Sequence, residues 1–165
     1  MLGKLLALAL LVPLQVTLLN LFQVDGAGPA IVLVCLIYWA SKENLRNNLI
    51  LTFIGGMFLD LFAILPTGTM ALSWISVIFL LEYGKTRFQN IGVILMLLAI
   101  WLATIFEYGV NYLVATQMGY FIKVSLIFNQ ALISLIYNSV LLMLVWFANA
   151  LLGWRQMYKA EPIPS

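Results

Sequence analysis

Long apolar runs separated by short polar links set the pattern of this chain. Six runs can be marked, at residues 5–22, 28–40, 48–65, 67–81, 91–114 and 124–152. A helix that crosses a bilayer needs about 20 apolar residues, with a working range near 17–25. The runs 5–22 and 48–65 meet that length, 91–114 is long enough to tilt, and 124–152 exceeds it. The runs 28–40 and 67–81 are short. The start, Met1-Leu2-Gly3-Lys4 before a leucine-rich stretch, imitates a signal peptide. No small-x-small cleavage site follows and the apolar run continues to Phe22, so the reading is a retained first span. The links are polar or turn-rich, with Asp25, Gly26, Gly28 and Pro29 in the first of them.

Composition narrows the class. Of the 165 residues, 64% are hydrophobic and only 8% charged, against about 25% charged in soluble domains. The expectation is an all-α integral membrane protein: a single polytopic domain over residues 1–165, built as a bundle of about six transmembrane helices. Charge orients it. With the N-terminus inside, Lys4, Lys42, Arg46, Lys85, Arg87, Arg155 and Lys159 all fall on the cytoplasmic side and only Lys123 outside, as the positive-inside rule requires. Both termini are then cytoplasmic. A rival keeps the same asymmetry: runs 48–65 and 67–81 could form a re-entrant hairpin shielded by the remaining helices. The net charge of +2 is small and scattered, which speaks against nucleic-acid binding. Cys35 is the single cysteine and cannot form an internal disulfide. There is no histidine, so the commonest general base and metal ligand are both missing.

Against this apolar background the polar residues are informative. Asp60 lies inside run 48–65, where a carboxylate costs about 2.5–3.5 kcal/mol on insertion scales. Thr52, Gly56 and Asp60 are four apart and share a helix face. Pro66 and Gly68 follow, then Thr69, Ser73 and Ser76 on one face of the next helix. The turn makes these helices antiparallel neighbours, within reach of a hydrogen bond from Thr69 or Ser73 to Asp60. Glu107 and Asn111 share a face of the fifth run, and Gln130, Ser134 and Asn138 a face of the sixth. Counting helix rise puts Asn20, Asp60, Glu107, Asn111, Asn129 and Gln130 at one level in the outer half. Two readings follow. Such groups can bond across helices and fix packing, at about 0.6 kcal/mol each, or they can line an outward pocket or a partner-docking surface. An enzyme is the least supported class. Intramembrane aspartyl proteolysis needs two aspartates, serine hydrolysis lacks a histidine, and no phosphate loop or metal cluster is present. No cofactor is expected.

The frame Gly56-x-x-x-Asp60, Pro66-x-Gly68-x-x-Ala71-Leu72, with Pro29 and Tyr38-Trp39-Ala40 upstream, resembles the signature of the bacterial rod shape-determining MreD family. The match covers roughly residues 29–73; Ala63, Ile64 and Met70 depart from it. The resemblance implies a non-enzymatic subunit of the cell-elongation, peptidoglycan-synthesis machinery in the bacterial cytoplasmic (inner) membrane. Such a subunit pairs with the single-span protein MreC and works beside MreB, RodA and a penicillin-binding transpeptidase. The family's bundle is similar to the substrate-binding subunits of energy-coupling-factor vitamin transporters, which makes a small-molecule-binding subunit the alternative.

Overall fold

The second run, Ile31-Val-Leu-Val-Cys-Leu-Ile-Tyr-Trp-Ala40, is apolar on every face, and a helix of that kind has to be buried all round. The computed structural model of the chain puts it at the centre. The model describes residues 2–17, 19–42, 44–63, 66–87 and 93–159, without the side chains of 19–20, 86–87 and 152–159. Six α-helices make up the described residues: α1 (Leu2–Thr17), α2 (Ile31–Ala40), α3 (Leu45–Asp60), α4 (Thr69–Arg87), α5 (Val93–Gln117) and α6 (Val124–Lys159). A 3-10 turn, Leu19–Phe22, follows α1. No β-strand occurs among the described residues; Val24 and Ala27 form one isolated bridge.

Helix α2 touches all five other helices. Val32, Leu33, Val34, Leu36, Ile37, Tyr38 and Ala40 are buried, and only a narrow stripe of Ile31, Cys35 and Trp39, spaced by four, is partly exposed. Consecutive helices run antiparallel, as the cross-helix bonds show. Asn48 reaches back to the Ala40 carbonyl between α2 and α3. Trp74 meets Glu107 between α4 and α5, and Tyr108 meets Ser134 between α5 and α6.

The helix bounds differ from the apolar runs in instructive ways. Run 5–22 is split, because the α-helix ends at Thr17 and the chain tightens into the 3-10 turn. Helix α2 has 10 residues, about 15 Å of rise, and cannot cross a hydrocarbon layer of about 30 Å by itself. Helix α3 takes in the polar Arg46, Asn47 and Asn48 and stops at Asp60, so Asp60 stands at a helix end rather than mid-span. Helices α4 and α6 run on to Arg87 and Lys159.

Two helical stretches, Val93–Gln117 and Val124–Leu151, are long and apolar enough to cross a membrane. Only 28% and 17% of their most apolar windows are buried, which leaves Leu98, Leu102, Ile105, Phe128, Ile136 and Phe147 facing outward. At the opposite end from the 23–30 turn, Lys4 lies 5.6 Å from the Trp39 ring centre and Lys42 4.6 Å from that of Tyr38. Cation–π contacts of this kind hold a basic side chain against an aromatic rim.

Candidate functional site

A helix start leaves its first N–H groups without intrahelical partners. Helix α4 begins after Gly68, which has no side chain to cap it. Asp60 supplies the missing acceptor from the end of the preceding helix. Its Oδ2 accepts the Gly68 N–H at 2.9 Å and the Ala71 N–H at 3.3 Å, and its Oδ1 accepts the Met70 N–H at 3.0 Å and the Thr69 hydroxyl at 3.1 Å. A carboxylate at a helix N-terminus also meets the positive end of the macrodipole. Asp60 is 1% exposed, and each of its oxygens takes two bonds.

The neighbouring residues of the motif serve the same closure. Gly68 has φ +106, a conformation glycine adopts without steric cost. A Cβ built on Gly56 would lie 2.5 Å from the Ala71 Cα and 2.8 Å from its N, so only glycine lets the α3 backbone come this close to α4. The exposed Pro66 accepts the Thr69 N–H through its carbonyl. Of the two hydroxyls expected near Asp60, Thr69 bonds it. Ser73 does not: buried one turn further on, it donates to the Thr69 carbonyl at 2.8 Å, because a serine within a helix can satisfy itself on the preceding turn. Thr52, on the Asp60 face of α3, is buried with its Oγ1 unpartnered among the described residues.

Helix α2 faces the same problem at its start. Its N-cap residue is Ala30, with no capping side chain. Asn138 of α6 accepts the Ala30 N–H through Oδ1 at 2.9 Å, and Gln15 of α1 accepts the Val32 N–H through Oε1 at 2.9 Å. Asn138 in turn donates to Thr104 of α5 at 3.0 Å. Ser134, shared between Tyr108 at 2.7 Å and the Gly28 carbonyl at 3.4 Å, ties the turn before α2 to both long helices.

Gln15, Thr104, Tyr108, Ser134 and Asn138 wall a cavity of about 240 Å³ beneath the 23–30 turn, and Gln23, Met70, Glu107 and Asn111 also line it. The Glu107 Oε2 accepts the indole N–H of the fully buried Trp74 at 2.7 Å. Asn111, one turn further along α5, has a buried Oδ1 with no hydrogen-bond partner among the described residues. Among the described residues no lysine or arginine lines the cavity. Met70 links it to the capping site, since its N–H is bound by Asp60 while the residue lines the wall.

The level assigned by helix rise therefore separates into distinct places. Asp60 belongs to the α3–α4 closure, whereas Glu107 and Asn111 belong to the cavity. Gln130 lies off it and donates to the Asp25 carbonyl at 2.7 Å, pinning the 23–30 turn. Asn129 is exposed on α6, because it sits about 100° around the helix from Gln130 at nearly the same height. The Asn20 side chain lies outside the described residues. Trp74, Tyr108 and Gln15 were not expected at the site. A signal existed for two of them: Gln15 is polar within an apolar run, and a buried tryptophan needs an acceptor for its N–H.

Among the described residues no group of three or more acidic, histidine or cysteine side chains could hold a metal ion. No family model, curated protein or solved structure matches the chain.

Proposed function

We propose that this chain is a multi-pass protein of the bacterial cytoplasmic membrane that acts as a non-enzymatic scaffold in cell elongation, in the manner of MreD. The supporting observation is the Asp60 closure. Every position of the Gly56, Asp60, Gly68 and Ala71 frame has a physical task in one helical hairpin: close approach, capping, a positive φ, and a small partner for Gly56. Both carboxylate oxygens are occupied by that task, which suits a structural residue and not a catalytic acid. The outward apolar faces of α5 and α6 offer packing surface to lipid and to the membrane helix of an MreC-like partner. MreB, RodA and a penicillin-binding transpeptidase are the further components of such an assembly. Lys4, Lys42, Arg46 and Lys85 would lie on the cytoplasmic side, both termini with them, where anionic lipid attracts basic residues at about 1 kcal/mol each.

Co-purification from native membranes with cross-linking and mass spectrometry tests this reading. A single-span partner cross-linked to α5 or α6, together with rounding of rod cells on gene deletion, is the expected result. Unchanged cell shape with no such partner would sink it.

The cavity favours a second reading, a small-molecule-binding subunit of an energy-coupling-factor-type transporter. That reading requires an ATPase-coupling partner in the same cross-linking experiment and a thermal shift with some member of a vitamin panel.

A further inference from the structure

Most polar groups in the cavity wall, Gln23 among them, are already committed. Tyr108 is paired with Ser134, Thr104 with Asn138, the Gln15 carbonyl oxygen with Val32, and the Asn138 oxygen with Ala30. Two acceptors on one face of α5 are left over. The Glu107 Oε1 accepts no hydrogen bond among the described residues, while its Oε2 is held by Trp74 and so fixes the carboxylate in place. The Asn111 Oδ1 is buried and unpartnered. The surplus is thus one formal negative charge and one neutral acceptor, with no basic residue among the described lining to answer it. Glu107 is half-buried, and a carboxylate partly withdrawn from water gains from a cationic partner.

We propose that this cavity binds a small organic ammonium ion bearing N–H groups, with Glu107 as its counter-charge and Asn111 as its second acceptor. The size agrees. A volume of about 240 Å³ falls below the roughly 300–1,000 Å³ of drug-sized pockets and holds a ligand of few heavy atoms. The donor geometry discriminates among cations. Hard metal ions seek about six or more oxygen ligands, whereas an N–H cation is satisfied by two or three acceptors placed apart. The remaining amide N–H groups of Gln15 and Asn111 suit a hydroxyl or carbonyl on the same ligand. An ammonium group of this kind has two sources, a soluble amine or the headgroup of an aminophospholipid. The inference goes beyond helix docking, and it rests on the second reading only in taking the cavity as a ligand site; it needs no ATPase partner.

The test uses the full chain in nanodiscs of phosphatidylcholine and phosphatidylglycerol, titrated with n-butylammonium and ethanolammonium by calorimetry and tryptophan emission. Saturable binding is expected, weakened at least tenfold in Glu107→Gln, which keeps an acceptor for Trp74. Asn111→Leu, which removes the second acceptor without touching the Glu107–Trp74 bond, should weaken binding at least tenfold and serves if Glu107→Gln fails to fold. Butanol, butyrate, tetramethylammonium and sodium chloride should not saturate. Adding phosphatidylethanolamine to the discs separates the sources: competition with the soluble probes assigns the site to a lipid headgroup, and its absence assigns it to a free amine. No saturable binding, equal binding in both variants, or an equal response to sodium chloride would overturn the proposal. So would a vitamin that binds where both ammonium probes fail, and that result would leave the transporter reading standing. Loss of the cross-linked partner bears on the docking reading alone.

Discussion

Asp60 and Glu107 are both acidic residues set among apolar helices, and the fold treats them differently. Asp60 receives four hydrogen bonds, three of them from backbone N–H groups, of Gly68 just before α4 and of Met70 and Ala71 in its first turn. Glu107 receives one, from Trp74, and turns its other oxygen to a cavity. Asp60 is fully buried and Glu107 half-buried, yet the fully buried acid is the better satisfied of the two. What separates them is whether the surrounding chain already supplies as many donors as the carboxylate has acceptor sites. A saturated carboxylate acts as part of the backbone, while an unsaturated one retains capacity for something that is not part of the chain.

The largest expected effect comes from removing Asp60. Asp60→Ala leaves the N–H groups of Gly68, Met70 and Ala71 facing an apolar interior, at about 1–3 kcal/mol for each unsatisfied donor, so a loss of at least about 3 kcal/mol is expected by thermal or denaturant unfolding in detergent. Asp60→Asn keeps one oxygen and should retain roughly half of the bonding. If alanine and asparagine unfold alike, charge rather than hydrogen bonding is what the site requires.

Gly56→Ala comes next. The added methyl meets the Ala71 backbone and should cost about 1–3 kcal/mol by overpacking. Combined with Asp60→Ala it should cost less than the sum of the two, since both act on one α3–α4 contact. Strict additivity would show that close approach and capping are separate devices.

Asn138→Leu removes the acceptor for Ala30 and the donor to Thr104, with an expected loss of about 1–3 kcal/mol and faster hydrogen exchange at the start of α2. Unchanged exchange there would mean that α2 is held by packing alone.

Glu107→Gln is the smallest. The amide still accepts the Trp74 N–H, so unfolding should shift by less than about 1 kcal/mol. A loss as large as that of Asp60→Ala would erase the comparison and make Glu107 structural too.

Legibility followed sequence distance. The α4 cap joins residues 8 to 11 positions apart, and the spacing of Asp60, Pro66, Gly68 and Thr69 already implied a hairpin with a bond across it. The face shared by Glu107 and Asn111 was equally readable, since it depends only on helix period. The partners of Glu107 and Ala30 are 33 and 108 positions away, and no local pattern points to them. Helix rise put Asn129 level with the cavity, but height on a helix says nothing about direction around it, and Asn129 faces out.

By itself the sequence determined the helical class, the apolar character of the runs, and the hairpin that brings Thr69 to Asp60, because each follows from composition or from spacing within one or two turns of chain; the backbone N–H groups that Asp60 caps were seen only in the structure. The shortness of run 28–40 was legible too, but only the tertiary structure decided that α2 lies at the centre of the bundle. It alone decided that Asn138 and Gln15 cap α2, and that Glu107 keeps a free oxygen where Asp60 keeps none. Those outcomes depend on which helix faces which across the bundle. That choice is made by the joint packing of five neighbours around α2, and no stretch of one helix encodes it.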